Sequence, residues 1–320
     1  MIIRLLLTPF SWVYGLITGI RNLLYDKSIL KSYPFDIPVI VVGNIIAGGT
    51  GKTPVVTWIA RELSGKYKVA ILSRGYGRKT DGFKVVDSAS TPETVGDEPL
   101  EMKLLLPDLI IAVDRNRKRG IEILKSGKYG KIDIILMDDG FQHRRVKPGF
   151  SIILDNFNRP MHREPLLPAG LRRESLSELK RADLIIQTKK ETVITPIPGE
   201  SKILLITGIA HPEALVSEIT KTGRLIHHLK FNDHHEYTSP DGMEIGRIYR
   251  SYQSANPEGK NEPSLIILTT GKDYVKLSRL PELSGLPIQW IPAPPPVDAA
   301  EKNEILKKIN QYVEKALGNR

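Results

Sequence analysis

Cysteine is absent from all 320 residues, which excludes disulfides, thiolate metal sites and cysteine catalysis. Aromatic residues make up only 7% and do not interleave with basic ones, so nucleic acid is not expected as a partner. Acidic residues are in deficit. Lys plus Arg number 46 against 36 Asp plus Glu, a net charge of +10 that favours an anionic partner such as an acidic lipid surface or a phosphorylated substrate. Long uncharged apolar stretches are also missing, except one near the N-terminus. The 41% hydrophobic content is ample for a packed core, and the length suits one large or two ordinary domains.

The exception, residues 5–20, lies between Arg4 and Arg21. Sixteen helical residues span about 24 Å, short of a hydrocarbon core of roughly 30 Å. Leu6, Phe10, Val13, Ile17, Ile20 and Leu24 recur at helical spacing, while Ser11, Gly15, Thr18 and Asn22 fall on another face. With Trp12 and Tyr14 at the rim, this predicts an amphipathic helix lying in a membrane interface. Its competitor is a helix packed on its own domain. No small-residue cleavage site follows that would mark an export signal.

Residues 43–54 read GNIIAGGTGKTP directly after the apolar run 37–42. A buried strand breaking into a glycine-rich turn that closes on Lys-Thr is how a chain cradles a nucleoside triphosphate. Glycines let backbone N–H groups approach phosphate oxygens, Lys52 reaches the β- and γ-phosphates, and Thr53 offers a hydroxyl to Mg²⁺. The nucleotide contacts are then Gly48, Gly49, Thr50, Gly51, Lys52, Thr53 and Pro54, with a helix beginning near Pro54. The general pattern wants glycine at position 46, where this chain has Ile46; its earlier glycine is Gly43. A second apolar run, 132–137, ends in Asp138 and Asp139, carboxylates suited to Mg²⁺ or its water shell beside such a loop.

Further strands are expected at 68–72, 109–113, 150–154 and 182–188, with helices between them. This predicts an α/β fold: a phosphate-loop NTPase-like, mostly parallel sheet with helices on both faces. Ligands would gather beyond the C-terminal strand ends, where 48–53, 73–78, Asp114-Arg115 and Asp138-Asp139 converge. Among the many basic residues there, Arg74 and Arg115 are the favoured anion contacts. A linker is expected at 196–199 and a mobile loop at 257–263. Beyond the linker the pattern restarts, with strands at 202–206, 225–230, 264–270 and 288–291 and a helix at 298–317. The expected division is an N-terminal helix (1–30), a nucleotide-binding domain (31–198) and a smaller α/β domain (199–320).

Lined up, VGNIIAGGTGKTP, LSRGYGR, VGDEP, DDGFQHRRV, LLPAGLRRES, ADLIIQTK, TGIAHPE, FNDHHEYT and LTTGKDYVK resemble the tetraacyldisaccharide 4′-kinase family, in order from about residue 38 to 277. That family shares the glycine spacing seen here. One departure is LRRES, where Leu171 and Ser175 stand in place of prolines and Arg173 and Glu174 still match. The resemblance implies transfer of the γ-phosphate of ATP, with Mg²⁺, to the 4′-hydroxyl of a lipid A disaccharide 1-phosphate. It also implies two α/β domains around a cleft, and a monomer peripheral to the cytoplasmic face of the inner membrane. It assigns Asp97 as proton acceptor, His234 as its partner, Glu174 as a metal-side carboxylate and Arg173 as a phosphate contact. His143, directly after the metal strand, joins the substrate contacts. From the residues alone, the favoured reading of Asp97 is the N-cap of a helix. His234, His235, Asp233 and Glu236 make too weak a set for zinc. The competing function is a membrane-associated switch ATPase of the partitioning kind. Those loops carry lysine where this chain has Ala47, and DDGFQH has no role in them.

Overall fold

The computed structural model describes residues 2–48, 51–157, 159–188, 199–255 and 264–318. The expected loop at 257–263 and all but Gly199 of the expected linker lie outside the described residues.

The first sheet contains β1 (Val39–Gly43), β2 (Val69–Ser73), β3 (Lys84–Val85), β4 (Ile110–Val113), β5 (Ile134–Asp138), β6 (Phe150–Asn156) and β7 (Leu184–Thr188). Their spatial order is β3-β4-β2-β5-β1-β6-β7, and all pair in parallel except the edge pair β3–β4. β1, β2 and β5 are buried at every position, as apolar runs without alternation require when both faces are covered. Ile40, Val42, Ile71 and Leu136 face one core with the apolar side of α2 (Lys52–Ser64). Val41, Leu72 and Met137 face the other, with Ile121 and Leu124 of α5 (Arg117–Lys125). Each fully buried aliphatic side chain of this kind stabilises the fold by roughly 1.5–3 kcal/mol.

Two helices follow β3: the single turn α3 (Pro92–Val95) and α4 (Asp97–Leu105). The second sheet is β8 (Lys202–Thr207), β9 (Leu225–Lys230), β10 (Leu265–Thr270) and β11 (Ile288–Ile291), parallel in the order β11-β10-β8-β9. α6 (Glu213–Lys221) covers one face through Leu215 and Ile219. α7 (Ser239–Ala255) covers the other through Ile245 and Tyr249. α7 and α8 (Gly271–Leu277) are helices that the sequence pattern does not announce.

α9 (Ala299–Gly318) corrects the expected division. Ile305, Ile309 and Val313 join the core of the first sheet, Tyr312 stacks on Phe150 with ring centroids 5.5 Å apart, and Glu314 pairs with Lys66 at 2.8 Å. The smaller α/β unit therefore ends before this helix rather than at residue 320. Helical periodicity specifies an apolar face, not which sheet receives it.

α1 (Ile2–Asp26) has 25 residues, so it spans about 37 Å and is longer than expected. Residues 3–26 are long and apolar enough to cross a membrane by length and composition, yet only Ser11 and Asn22 among them are buried. The helix is turned inside out relative to a water-soluble one. Ser11 and Asn22 are buried against the protein, while Leu5, Leu6, Phe10, Val13 and Ile17 are exposed and Trp12 is 73% exposed.

The two sheets meet where α4 packs on α8. Glu101 lies against Gly271, where even a Cβ would come within 2.8 Å of its carboxylate. Burial, then the neighbouring Glu98, pushes the Glu101 carboxyl up to about 8. An unfolded glutamate ionises near pH 4.3. Between these values the folded state holds a proton the unfolded state has lost, so stability falls as pH rises through the window and levels off above it. Glu101→Gln is expected to remove that slope and to stabilise by up to about 3–4 kcal/mol at pH 7. Denaturant melts at pH 5 and pH 8 check this: equal gains at both pH values would contradict it.

Candidate active site

β1 runs into Asn44, Ile45, Ile46 and Ala47, then Gly48 with φ 107°, and Gly51 is the N-cap of α2. Gly49 and Thr50 lie outside the described residues. Gly51 is left-handed at φ 78°, and a Cβ there would sit 2.6 Å from Pro296 Cγ, so only glycine fits. Lys52, Thr53 and Pro54 form the first turn of α2, whose free N–H groups and positive dipole end face the loop.

The parallel register sets Val42 of β1 beside Asp138 of β5, which delivers both aspartates to the foot of the loop. Asp138 is buried; its Oδ2 accepts from Ser73 Oγ at 3.0 Å, and its Oδ1 has no protein partner. Burial, then the charges of Glu98 and Asp139, raises its carboxyl to about 7. A carboxylate held in this way is matched to a cation. Among the described residues no three His, Asp or Glu side chains cluster as a protein-only metal site.

Asp139 differs from its neighbour. Its φ is 47°, a strained value for a residue with a side chain, and it turns the carboxylate toward Lys52 Nζ at 3.7 Å. Arg173 clamps the same carboxylate with two bonds of 2.9 and 3.2 Å and also donates to Asn44. Burial works against ionisation here, but Lys52 and Arg173 outweigh it and hold the carboxyl far below the usual range.

A second constellation lies at the start of α4. Gly96, at φ 94°, passes so close to the Tyr76 carbonyl that a Cβ would be 2.7 Å from it. Gly96 takes the N-cap position and Asp97 is the first helical residue, so the N-cap reading of Asp97 fails. Asp97 Oδ2 lies 3.0 Å from His234 Nδ1, and Lys272 Nζ lies 2.9 Å from His234 Nε2. Lysine has only donors, so Nε2 accepts and Nδ1–H donates to Asp97. His234 is a second strained residue, at φ 59°. Lys276 Nζ stands 3.7 Å from the same Asp97 oxygen. Burial raises Asp97, but the His234 hydrogen bond and the charges of Lys272 and Lys276 prevail and lower it. The hydrogen bond to Asp97 in turn raises His234.

Glu98 joins the two constellations. It raises Asp138, and among the charges that act on it are Lys52, Lys272 and His234. Sequence reasoning missed Glu98, Ser73 and Lys276; for Glu98 the signal was its place in VGDEP, next to Asp97. A cavity of about 510 Å³ opens beside Asp97, lined by Tyr76, His234, Tyr237 and Lys276 among others.

Arg115 and His143 line a separate cavity of about 390 Å³ with Arg21, Arg117, Lys118 and Arg144, and no acidic residue among its lining. Arg117 borders both places, since its guanidinium donates to the Asp138 carbonyl at 3.1 Å. Arg74 is exposed, and its charge reaches His143, whose pKa falls to about 4 through burial first and neighbouring arginines second. Glu174, expected on the metal side, has two arginine partners. It is 0% exposed, and its two oxygens are taken by Arg21 of α1 at 2.8 Å and Arg181 at 2.7 Å.

The model of the tetraacyldisaccharide-1-P 4′-kinase family matches residues 3–199 and 195–314. The chain belongs to this family. It is 38% identical to a tetraacyldisaccharide 4′-kinase of Flavobacterium psychrophilum, covering 99% of both chains. It is 37% identical to a tetraacyldisaccharide 4′-kinase of Parabacteroides distasonis, covering 89% of this chain and 86% of that one. The fold is similar to that of LpxK from Aquifex aeolicus in complex with ATP, with a TM-score of 0.75, 28% identity, and 97% and 99% of the two chains covered. Membership makes the chain a kinase of the lipid-kinase kind and supports the α/β architecture with an apolar N-terminal helix. At Leu171, where the resemblance expects proline, the N–H donates to Glu164 at 3.1 Å, a bond proline could not make.

Proposed function

We propose that the chain transfers the γ-phosphoryl group of ATP to the 4′-hydroxyl of a tetraacyl glucosamine disaccharide 1-phosphate, giving the bis-phosphorylated lipid and ADP. The observation that carries this is the Asp97–His234 pair, set at a helix start beside the carboxylates of a phosphate loop. Lys52 and the amides at the start of α2 would bind the β- and γ-phosphates. Thr53 and Asp138 would hold Mg²⁺, which when bound neutralises charge on the phosphates, and the unpartnered Asp138 Oδ1 fits that role. Arg173 keeps Asp139 ionised beside Lys52.

The acceptor hydroxyl would enter from the cavity beside Asp97. Its oxygen forms the new bond to the γ-phosphorus, the bond to the β–γ bridging oxygen breaks, and the proton passes to Asp97. The cavity with Arg115 and His143, which five arginines and Lys118 line with no acidic residue, would, together with Arg74, hold the substrate's own phosphate. The exposed apolar side of α1 would lie in the cytoplasmic face of the inner membrane, with the protein acting as a peripheral monomer.

Two measurements follow. Label from the γ-phosphate of ATP should enter lipid only when the disaccharide 1-phosphate is present in mixed micelles. Hydrolysis stimulated by bare vesicles, with no labelled lipid, would instead select the switch ATPase. His234→Ala removes the bond that holds Asp97 low, so burial then raises the carboxyl. The acid limb of kcat should therefore move to higher pH, with activity recovering as pH rises. A pH profile unchanged in shape would contradict the base assignment.

A further inference from the structure

The segment 171–174 has two sides with different attachments. Inward, it pairs with the phosphate loop: Ala47 N–H donates to the Leu171 carbonyl at 2.7 Å, Arg173 N–H donates to the Ile45 carbonyl at 2.6 Å, and Ile46 and Arg172 form an antiparallel bridge. The Arg173 guanidinium, also inward, grips Asp139, the partner of Lys52. Outward, the same segment carries α1. Tyr14 Oη donates to the Arg173 carbonyl at 3.0 Å, and Arg21 pairs with Glu174 at 2.8 Å. Among the described residues, Arg173 and Asp139 thus link the apolar helix to Lys52.

We propose that Tyr14 and Arg21 are positioning residues that make nucleotide binding at the phosphate loop sensitive to the seating of α1 in a bilayer. Glu174 is wholly buried, so its carboxylate depends on both Arg21 and Arg181; a shift of α1 removes one of them. α1 has reason to shift between environments. Its outward face presents Leu5, Leu6, Phe10, Trp12 and Ile17 to solvent, an arrangement an apolar interface stabilises and water does not. Its inward face is fixed by polar bonds alone at several points, among them Ser11 Oγ to the Leu166 carbonyl at 3.0 Å and Arg144 to the Asn22 carbonyl at 2.8 Å. A bilayer that holds the helix in its bonded position favours the 171–174 segment as it lies against the loop. Coupling of this kind is reciprocal: bound nucleotide must strengthen membrane binding by the same factor.

The inference rests on the nucleotide and membrane readings above, and each is measured alone in the parent chain by the same experiment. Binding of a non-hydrolysable ATP analogue with Mg²⁺ is followed with and without phosphatidylethanolamine–phosphatidylglycerol vesicles, and vesicle binding is followed with and without the analogue. Neither readout needs lipid phosphorylation. In the parent, vesicles should tighten the analogue, and the analogue should tighten vesicle binding, each by about 5- to 10-fold. Tyr14→Phe, which removes one hydroxyl and no packing, should cut both factors while leaving vesicle binding without nucleotide unchanged. Arg21→Met should also cut both factors, and Arg21→Lys should restore most of the coupling. Parent nucleotide affinity indifferent to vesicles, or Tyr14→Phe and Arg21→Met with undiminished coupling, would overturn the proposal.

Discussion

Lys52→Ala lowers phosphoryl transfer by about 10³-fold or more, the effect of deleting a preorganised charge from a site that develops negative charge. The expectation rests on what surrounds Lys52. Its ammonium lies 3.7 Å from Asp139, and Arg173 keeps that carboxylate ionised, so the lysine is held at the loop before any phosphate arrives. Removing it leaves Asp139 beside the phosphate-binding turn with one cation fewer, which repels the nucleotide as well as slowing the reaction. Both the KM for ATP and kcat should therefore worsen. A variant that retains kcat at saturating ATP would show that Lys52 contributes ground-state binding only.

Asp97→Asn has the second largest expected effect, a fall in kcat of about 10²- to 10⁴-fold with ATP binding nearly unchanged. Asparagine keeps the shape and still accepts from His234 Nδ1–H, but it takes no proton. The position is chemically demanding. Asp97 is buried, yet it is held ionised by His234 at 3.0 Å and by the charges of Lys272 and Lys276. A structural carboxylate capping α4 would tolerate the amide; the N-cap here is Gly96, so that explanation has no place. Loss of less than tenfold in kcat, with the fold intact, would remove Asp97 from the proton path.

The sequence conveys the first sheet better than the second. β1 and β5 are continuous apolar runs, and their ends carry glycine and aspartate, so strand, loop and carboxylates are legible from local chemistry alone. α7 is not, because Pro240, Gly242 and Gly246 interrupt its pattern and Ile245 and Tyr249 supply most of its buried face. Contacts made across long sequence separations leave no local mark. Glu174 follows Arg173 in a charged turn, and nothing nearby shows that its partner is Arg21, 153 residues away. Lys276 reaches Asp97 only because α8 packs on α4, a juxtaposition set by tertiary packing. The outward apolar face of α1 is legible from period and composition, but the polar bonds that fix its other face are not.

The phosphorylated position of the lipid is the most direct test of the central claim. Product formed from ATP and a tetraacyl disaccharide 1-phosphate is examined by phosphorus–proton correlation NMR. The predicted result is a second phosphorus coupled to the 4′ proton of the distal glucosamine, absent when Asp97→Asn replaces the parent. Phosphate on any other oxygen, or ADP released with no phosphorylated lipid, would contradict it.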